Sequence, residues 1–117
     1  MNNTRYTLAD IKMKSDQKCA YCGTHSGTFE IDHIIPKTHG GVRSFDNLLL
    51  ACRTCNGQKG ARELSDFRLY QALGKKRYNV LKLMSQVEDP TPQEITVIKS
   101  YLYLGNVHSF YFETLNK

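Results

Sequence analysis

Four cysteines in two closely spaced pairs, Cys19-Ala20-Tyr21-Cys22 and Cys52-Arg53-Thr54-Cys55, constrain this chain more than any other feature. Each CxxC pair brings two thiolates within reach of one ion. Four soft sulfurs arranged as a tetrahedron suit zinc and leave no open position for a substrate, so the ion they predict is structural. The 29 residues between the pairs would then be held at both ends by one metal. A redox dithiol and unrelated buried cysteines are the competing readings of the same residues.

The rest of the composition agrees with a small intracellular domain. At 117 residues there is room for one domain, 1–117, whose core gains from a metal staple. No apolar run is long enough to span a bilayer, and Met1-Asn2-Asn3-Thr4-Arg5 does not resemble a signal peptide. A cytoplasmic protein is expected, where close cysteine pairs are better read as metal ligands than as disulfides. The net charge of +5 favours an anionic partner without naming it, and nothing points to a membrane.

Read along the chain, the pattern is α+β. Thr7 and Asp10 predict a capped helix over about Thr7 to Ser15, with Leu8, Ile11 and Met13 on its apolar side. A knuckle follows at Cys19–Gly23. Phe29 to Ile35 reads as a strand that stops at Pro36, Lys37 to Asp46 as a loop marked by Gly40-Gly41, and Leu48–Leu50 as a short buried strand. Cys52 to Lys59 has the length of two helical turns and stops at Gly60. Beyond Arg62 the pattern is helical. One helix, capped by Ser65 and Asp66, ends at Gly74; the next carries Tyr78, Leu81 and Met84; and Thr91-Pro92-Gln93-Glu94 starts a third that ends at Gly105. Val107 to Leu115 reads equally as a strand or a packed tail.

The residues between the cysteine pairs carry the chemistry. Asp32 and His33 stand together at the end of the first strand, and Asn56 follows the last cysteine. Hydrolysis of a phosphodiester needs an activated water, a counter-charge and stabilisation of the departing oxygen. Imidazole can supply the first, and a metal held by carboxylate and amide oxygens the other two. Cys52, Asn56 and Lys59 recur at helical spacing, so one short helix could serve both metals and a phosphate. An ideal strand would send Asp32 and His33 to opposite faces, so the strand must bulge, twist or end there.

The runs FEIDHIIPKTHGG, FDNLLLAC and CNGQKG resemble the HNH endonuclease family in its ββα-metal form, over about Lys18 to Arg62. The resemblance implies a zinc-stapled core at 18–62 with an N-terminal helix and a helical extension at 63–117. It also implies His33 as general base, Asp32 and Asn56 as ligands of a catalytic magnesium or manganese, and Asn47 as the residue that holds the loop carrying the base. Asparagine at the last motif position is a recurrent variant, and its oxygen suits magnesium better than imidazole does.

Lys37, Arg43, Arg53, Lys59 and Arg62 stand against Asp46 alone between His33 and Arg62, an excess of +4. These five are the expected phosphate contacts, giving affinity and salt dependence without sequence readout. Lys75-Lys76-Arg77 could extend the footprint, although a solvated helix start is its ordinary reading. Duplex DNA is the partner the resemblance implies, with one strand cut per active site. A homodimer or a larger nuclease or defence complex would fit double-strand cleavage. A non-catalytic zinc module that binds nucleic acid or protein would have the same cage and basic surface, but does not need Asp32, His33, Asn47 and Asn56 together. Glu30 reads equally as an outer carboxylate and an exposed strand residue. His25, His39 and His108 read as surface or hydrogen-bonding histidines rather than ligands, His39 being the best of them for a phosphate contact. Five of the twelve aromatics lie between Tyr101 and Phe112, which predicts a packed C-terminal core.

Overall fold

The computed structural model describes residues 6–115; Met1–Arg5, read above for a leader, lies outside them. The described residues divide into two compact units. One runs to Leu64 and resumes at Phe110; the other is Ser65–Ser109.

In the first unit, α1 (Leu8–Lys12) starts as expected. Thr7 accepts a hydrogen bond from the Asp10 amide, Asp10 accepts one from the Thr7 amide in return, and the chain continues as a single 3-10 turn through Ser15. Of the three residues expected on its apolar side only Ile11 is buried; Leu8 is exposed and Met13 is 74% exposed. Five residues leave room for one inward-facing position, and Ile11 takes it.

β1 (Phe29–His33) and β2 (Leu48–Cys52) form a two-stranded antiparallel sheet in which Ile31 faces Leu50 and His33 faces Leu48. β1 stops two residues short of Ile35 because Asn47 takes over its pairing. The Ile34 amide donates to the Asn47 carbonyl, and the Ile35 amide to the Asn47 side chain. β2 is buried along its whole length and extends past Leu50 to Cys52. Ile11, Leu48 and Leu50 form the core, with Tyr6, Phe29 and Ile31 against it. α2 (Arg53–Lys59) follows, capped by the Cys52 sulfur, which accepts from the Cys55 amide. Strand, loop, strand and helix therefore follow in the expected order: an α+β core with four cysteines close enough together to bind zinc.

The segment 110–115 closes this unit. It is the packed tail of the two readings and not a strand: α5 (Tyr111–Thr114) follows two backbone bonds to the cysteine knuckle, from the Tyr111 amide to the Tyr21 carbonyl and from the Phe112 amide to the Ala20 carbonyl. The Phe110 ring, wholly buried, meets Tyr21 edge-on at 5.2 Å.

In the second unit, α3 (Leu64–Met84) is two helices joined across Gly74, whose backbone (φ 82°, ψ 165°) is not helical. That is the break expected there, and the Asp66 carboxylate accepts from the Tyr78 hydroxyl and pairs with Lys82. α4 (Pro92–Val107) begins with a Thr91–Glu94 capping box. It runs on through Gly105 instead of ending there. Gly105 is needed for close packing, since a Cβ at that position would lie 2.4 Å from Leu69 Cδ2. Leu73, Tyr78 and Leu81 form this unit's core, with Ile98 and Tyr101 against it. Among the described residues no helix is long and apolar enough to cross a membrane.

Candidate active site

The cysteine cage comes first because it fixes the frame. The four Sγ atoms lie within 4.8 Å of one another, and Cys22 and Cys52 are 3.9 Å apart. Tetrahedral zinc with sulfurs at about 2.3 Å would set its ligands about 3.8 Å from each other, whereas a disulfide would need about 2.05 Å. The cage therefore has the dimensions of a zinc site, with its thiols free of disulfides. A hydrogen bond from Cys55 pulls the Cys19 thiol well below the ordinary range, and the same contact pushes Cys55 up. Only Cys22 is exposed.

β1 ends at His33, and there the alternation problem resolves. Asp32 and His33 line one cavity of about 240 Å³ together with Ile31, Pro36, Lys37, Thr38, Gly60 and Ala61. Burial holds His33 below the ordinary histidine range, helped by the charges of Lys37 and Arg43 and opposed by Asp32. The shift favours the neutral imidazole, the form able to accept a proton. Its Nε2 is buried and has no hydrogen-bond partner among the described residues.

The loop behind the cavity is pinned by Asn47. Its Oδ1 accepts from the Ile35 amide at 2.9 Å, and its Nδ2 donates to the carbonyls of Ile35 at 3.2 Å and Val42 at 2.9 Å. The turn that carries Asn47 is clamped from α1's side by Lys14, whose ammonium donates to the carbonyls of Phe45 at 2.5 Å and Leu48 at 2.6 Å. Gly41 lets the loop fold back. Its amide donates to the Pro36 carbonyl, and a Cβ there would meet the Ile35 carbonyl oxygen at 1.7 Å.

Asp32 is buried and fully engaged on one oxygen. Tyr21 donates its hydroxyl to Oδ2 at 2.5 Å, and Lys59 Nζ stands 3.1 Å from the same atom. Burial and the neighbouring Asp32 carboxylate push the Tyr21 phenol far up, so it stays a donor. Oδ1 of Asp32 carries no hydrogen bond among the described residues. Asn56 does not share Asp32's partners. It donates through Nδ2 to Glu30 at 2.6 Å, which leaves its own Oδ1 unbonded, and Glu30 also faces Arg53 at 3.7 Å. Asp32 Oδ1 and Asn56 Oδ1, one carboxylate and one amide oxygen, are of the hard type that magnesium and manganese take, but Asn56 is not among the residues that line the Asp32–His33 cavity.

The basic residues divide. Lys37 and Arg53 are exposed. Arg43 is exposed but donates to the Tyr6 carbonyl at 2.7 Å, and half-buried Arg62 donates to the Gln58 carbonyl. Lys59 is not a surface cation: it is 0% exposed, and its ammonium also donates to the His33 carbonyl at 2.8 Å. The helical spacing that puts Lys59 beside Asn56 also turns it toward β1, where Asp32 compensates its charge. Among the histidines, His25 is exposed, His39 stands 3.8 Å from Glu63, and His108 bonds Gln71 at 2.7 Å.

Sequence reasoning missed Tyr21, Lys59 and Lys14 as supports of the site. Glu30 had a signal: it lies two residues before Asp32, on the same strand face, toward α2.

Residues 19–62 match the HNH endonuclease family. The HNH segment takes in the cage, both strands, the pinned loop and α2, but neither α1 nor the 110–115 segment. The chain is also similar to protein ea31 of Escherichia phage lambda, with 41% identity over 54 residues, 44% of this chain and 18% of the phage protein. The chain thus spans less than a fifth of that relative's length. No solved structure matches.

Proposed function

We propose that this chain is a metal-dependent endonuclease that hydrolyses DNA phosphodiester bonds, nicking one strand per active site. One observation carries the reading: Asp32 and His33 line a single cavity at the end of β1, in front of a loop pinned by Asn47. His33 takes the proton from the attacking water. Asn47 keeps the loop bearing His33 in register. Asp32 and Asn56 would hold Mg²⁺ or Mn²⁺ through their Oδ1 atoms, with Glu30 accepting from Asn56 Nδ2 and so leaving the amide oxygen for the ion. When bound, the ion supplies counter-charge to the phosphate and eases the departure of the leaving oxygen. The four cysteines would hold zinc, which would tie β2 and α2 to the knuckle.

HNH domains typically bind DNA, and duplex DNA is the substrate in this reading. Lys37, Arg43, Arg53 and Arg62 contact phosphate, while buried Lys59 does not. Residues 18–62 are taken as the catalytic core and 63–117 as its extension. The second reading, a non-catalytic zinc module, has one observation in its favour: Lys59 already compensates the Asp32 charge without any ion.

The test is nicking of supercoiled plasmid in Mg²⁺ or Mn²⁺ by wild type and His33→Ala. The expected loss in the variant is at least about 100-fold, with zinc content and melting unchanged. Equal nicking by the variant would remove His33 from the mechanism. No cleavage by wild type of plasmid, linear, single-stranded, branched or RNA substrates would favour the binding module.

A further inference from the structure

Lys59 is an ammonium buried beside the site. It is the one lysine among the described residues with no exposed surface, and its ammonium faces two adjacent residues of β1 at once, the Asp32 carboxylate at 3.1 Å and the His33 carbonyl at 2.8 Å. Burying an ammonium is costly unless its donors are met, so the pair persists only while both acceptors stay where they are. It is therefore a geometric constraint on two successive residues. Tyr21 adds a third point by donating to the same Oδ2 of Asp32.

We propose that Lys59 is a positioning residue. Together with Tyr21 it locks the Asp32 carboxylate by Oδ2, so that Oδ1 alone is presented. By holding the His33 carbonyl it fixes the backbone from which the imidazole projects. This rests on the nuclease reading and deepens it. Lys59 has no exposed surface to offer a phosphate, so it acts on turnover through Asp32 and His33 and not on substrate affinity. Its charge also weakens the pull of Asp32 on a divalent ion, so removing that charge leaves metal binding intact or tighter while turnover falls. A phosphate-binding lysine would show the reverse, a weaker KM and a shallower salt dependence.

The test compares wild type, Lys59→Met, Lys59→Gln, Tyr21→Phe, Asp32→Asn and His33→Ala, each checked for zinc content and melting. The readouts are plasmid nicking and, separately, Mn²⁺ binding by electron paramagnetic resonance without DNA. Lys59→Met should lower kcat about 100-fold, the cost of a small misplacement of reacting groups, with KM for DNA unchanged and Mn²⁺ bound at least as tightly as in wild type. Asp32→Asn should lose Mn²⁺. Lys59→Gln, which keeps a donor, should recover part of the kcat, and Tyr21→Phe should reduce kcat less than Lys59→Met. Wild-type kcat in Lys59→Met, or a loss confined to KM, would overturn the proposal. Nicking by His33→Ala at the wild-type rate would overturn the nuclease reading instead.

If Lys59→Met does not fold, the wild-type protein decides. Its ¹⁵N spectrum should contain one lysine ammonium protected from exchange at neutral pH, shifted by Mn²⁺ and by Asp32→Asn. Absence of that signal would overturn the clamp.

Discussion

Replacing Asn47 with alanine tests the link between the loop and the site most directly. The side chain is nearly buried and makes three hydrogen bonds, to the Ile35 amide, the Ile35 carbonyl and the Val42 carbonyl. At about 1 kcal/mol net for each bond the loss would be about 3 kcal/mol. Ile35 and Val42 are exposed at their side chains, so water can reach some of the freed groups, and about 2 kcal/mol is the better figure. The assay is urea unfolding of the zinc-loaded protein, read as a shift in midpoint at constant slope, alongside amide hydrogen exchange at Ile34 and Ile35. Exchange at Ile35 should accelerate by more than the global loss accounts for, because its acceptor is the deleted atom. A stability change under about 0.5 kcal/mol with unchanged exchange at Ile35 would refute the assignment of Asn47 as the loop's anchor. Asn47→Asp sharpens the test. It keeps an acceptor for the Ile35 amide but turns carboxylate oxygen toward two carbonyls, and should be at least as damaging as alanine.

Three further outcomes are expected. Chelating the cage metal, or Cys52→Ser, should unfold the first unit, seen as loss of protected amides in β1 and β2; retention of those amides would show that the cage is not structural. Gly41→Ala should destabilise by about 2 kcal/mol or more and displace the 34–42 loop, because its Cβ would lie 1.7 Å from the Ile35 carbonyl oxygen; by contrast Gly105→Ala meets only the flexible end of Leu69 and should cost less. Phe110→Ala should cost about 3–5 kcal/mol, the usual loss for a wholly buried ring, in thermal or urea unfolding.

What was readable in advance was what chain proximity controls. CxxC spacing brings sulfurs together whatever the surrounding fold, and capping residues act within one turn, so the cage, the Thr7 and Thr91 starts and the Gly74 break could all be read from residue order. The family resemblance implied only that Asn47 holds the loop carrying the base; its partners Ile35 and Val42 were not legible, since nothing local announces that an asparagine will bond a loop twelve residues back. Lys59 was misread for a physical reason. Its spacing placed it on the Asn56 side of α2, but that side faces β1, and a positive residue was counted as surface charge before its inward carboxylate partner was known. Tyr21 lies inside the knuckle, where only the tertiary fold reveals which atom its hydroxyl reaches. Gly105 looked like a helix end because the neighbour that demands its missing Cβ, Leu69, is far away in sequence.

The 110–115 segment has a consequence for the order of synthesis. Tyr21, whose hydroxyl holds Asp32, is covered by rings that leave the ribosome almost ninety residues later. The sulfur cage can load its metal as soon as Cys55 is available, but the wall behind Asp32 waits for Phe110 and Phe112. A nascent chain is thus stapled before it is finished. A fragment trimmed to residues 19–62 would stay in that intermediate state, with the aromatic face of Tyr21 open to water and the Asp32 carboxylate held by a phenol free to swing.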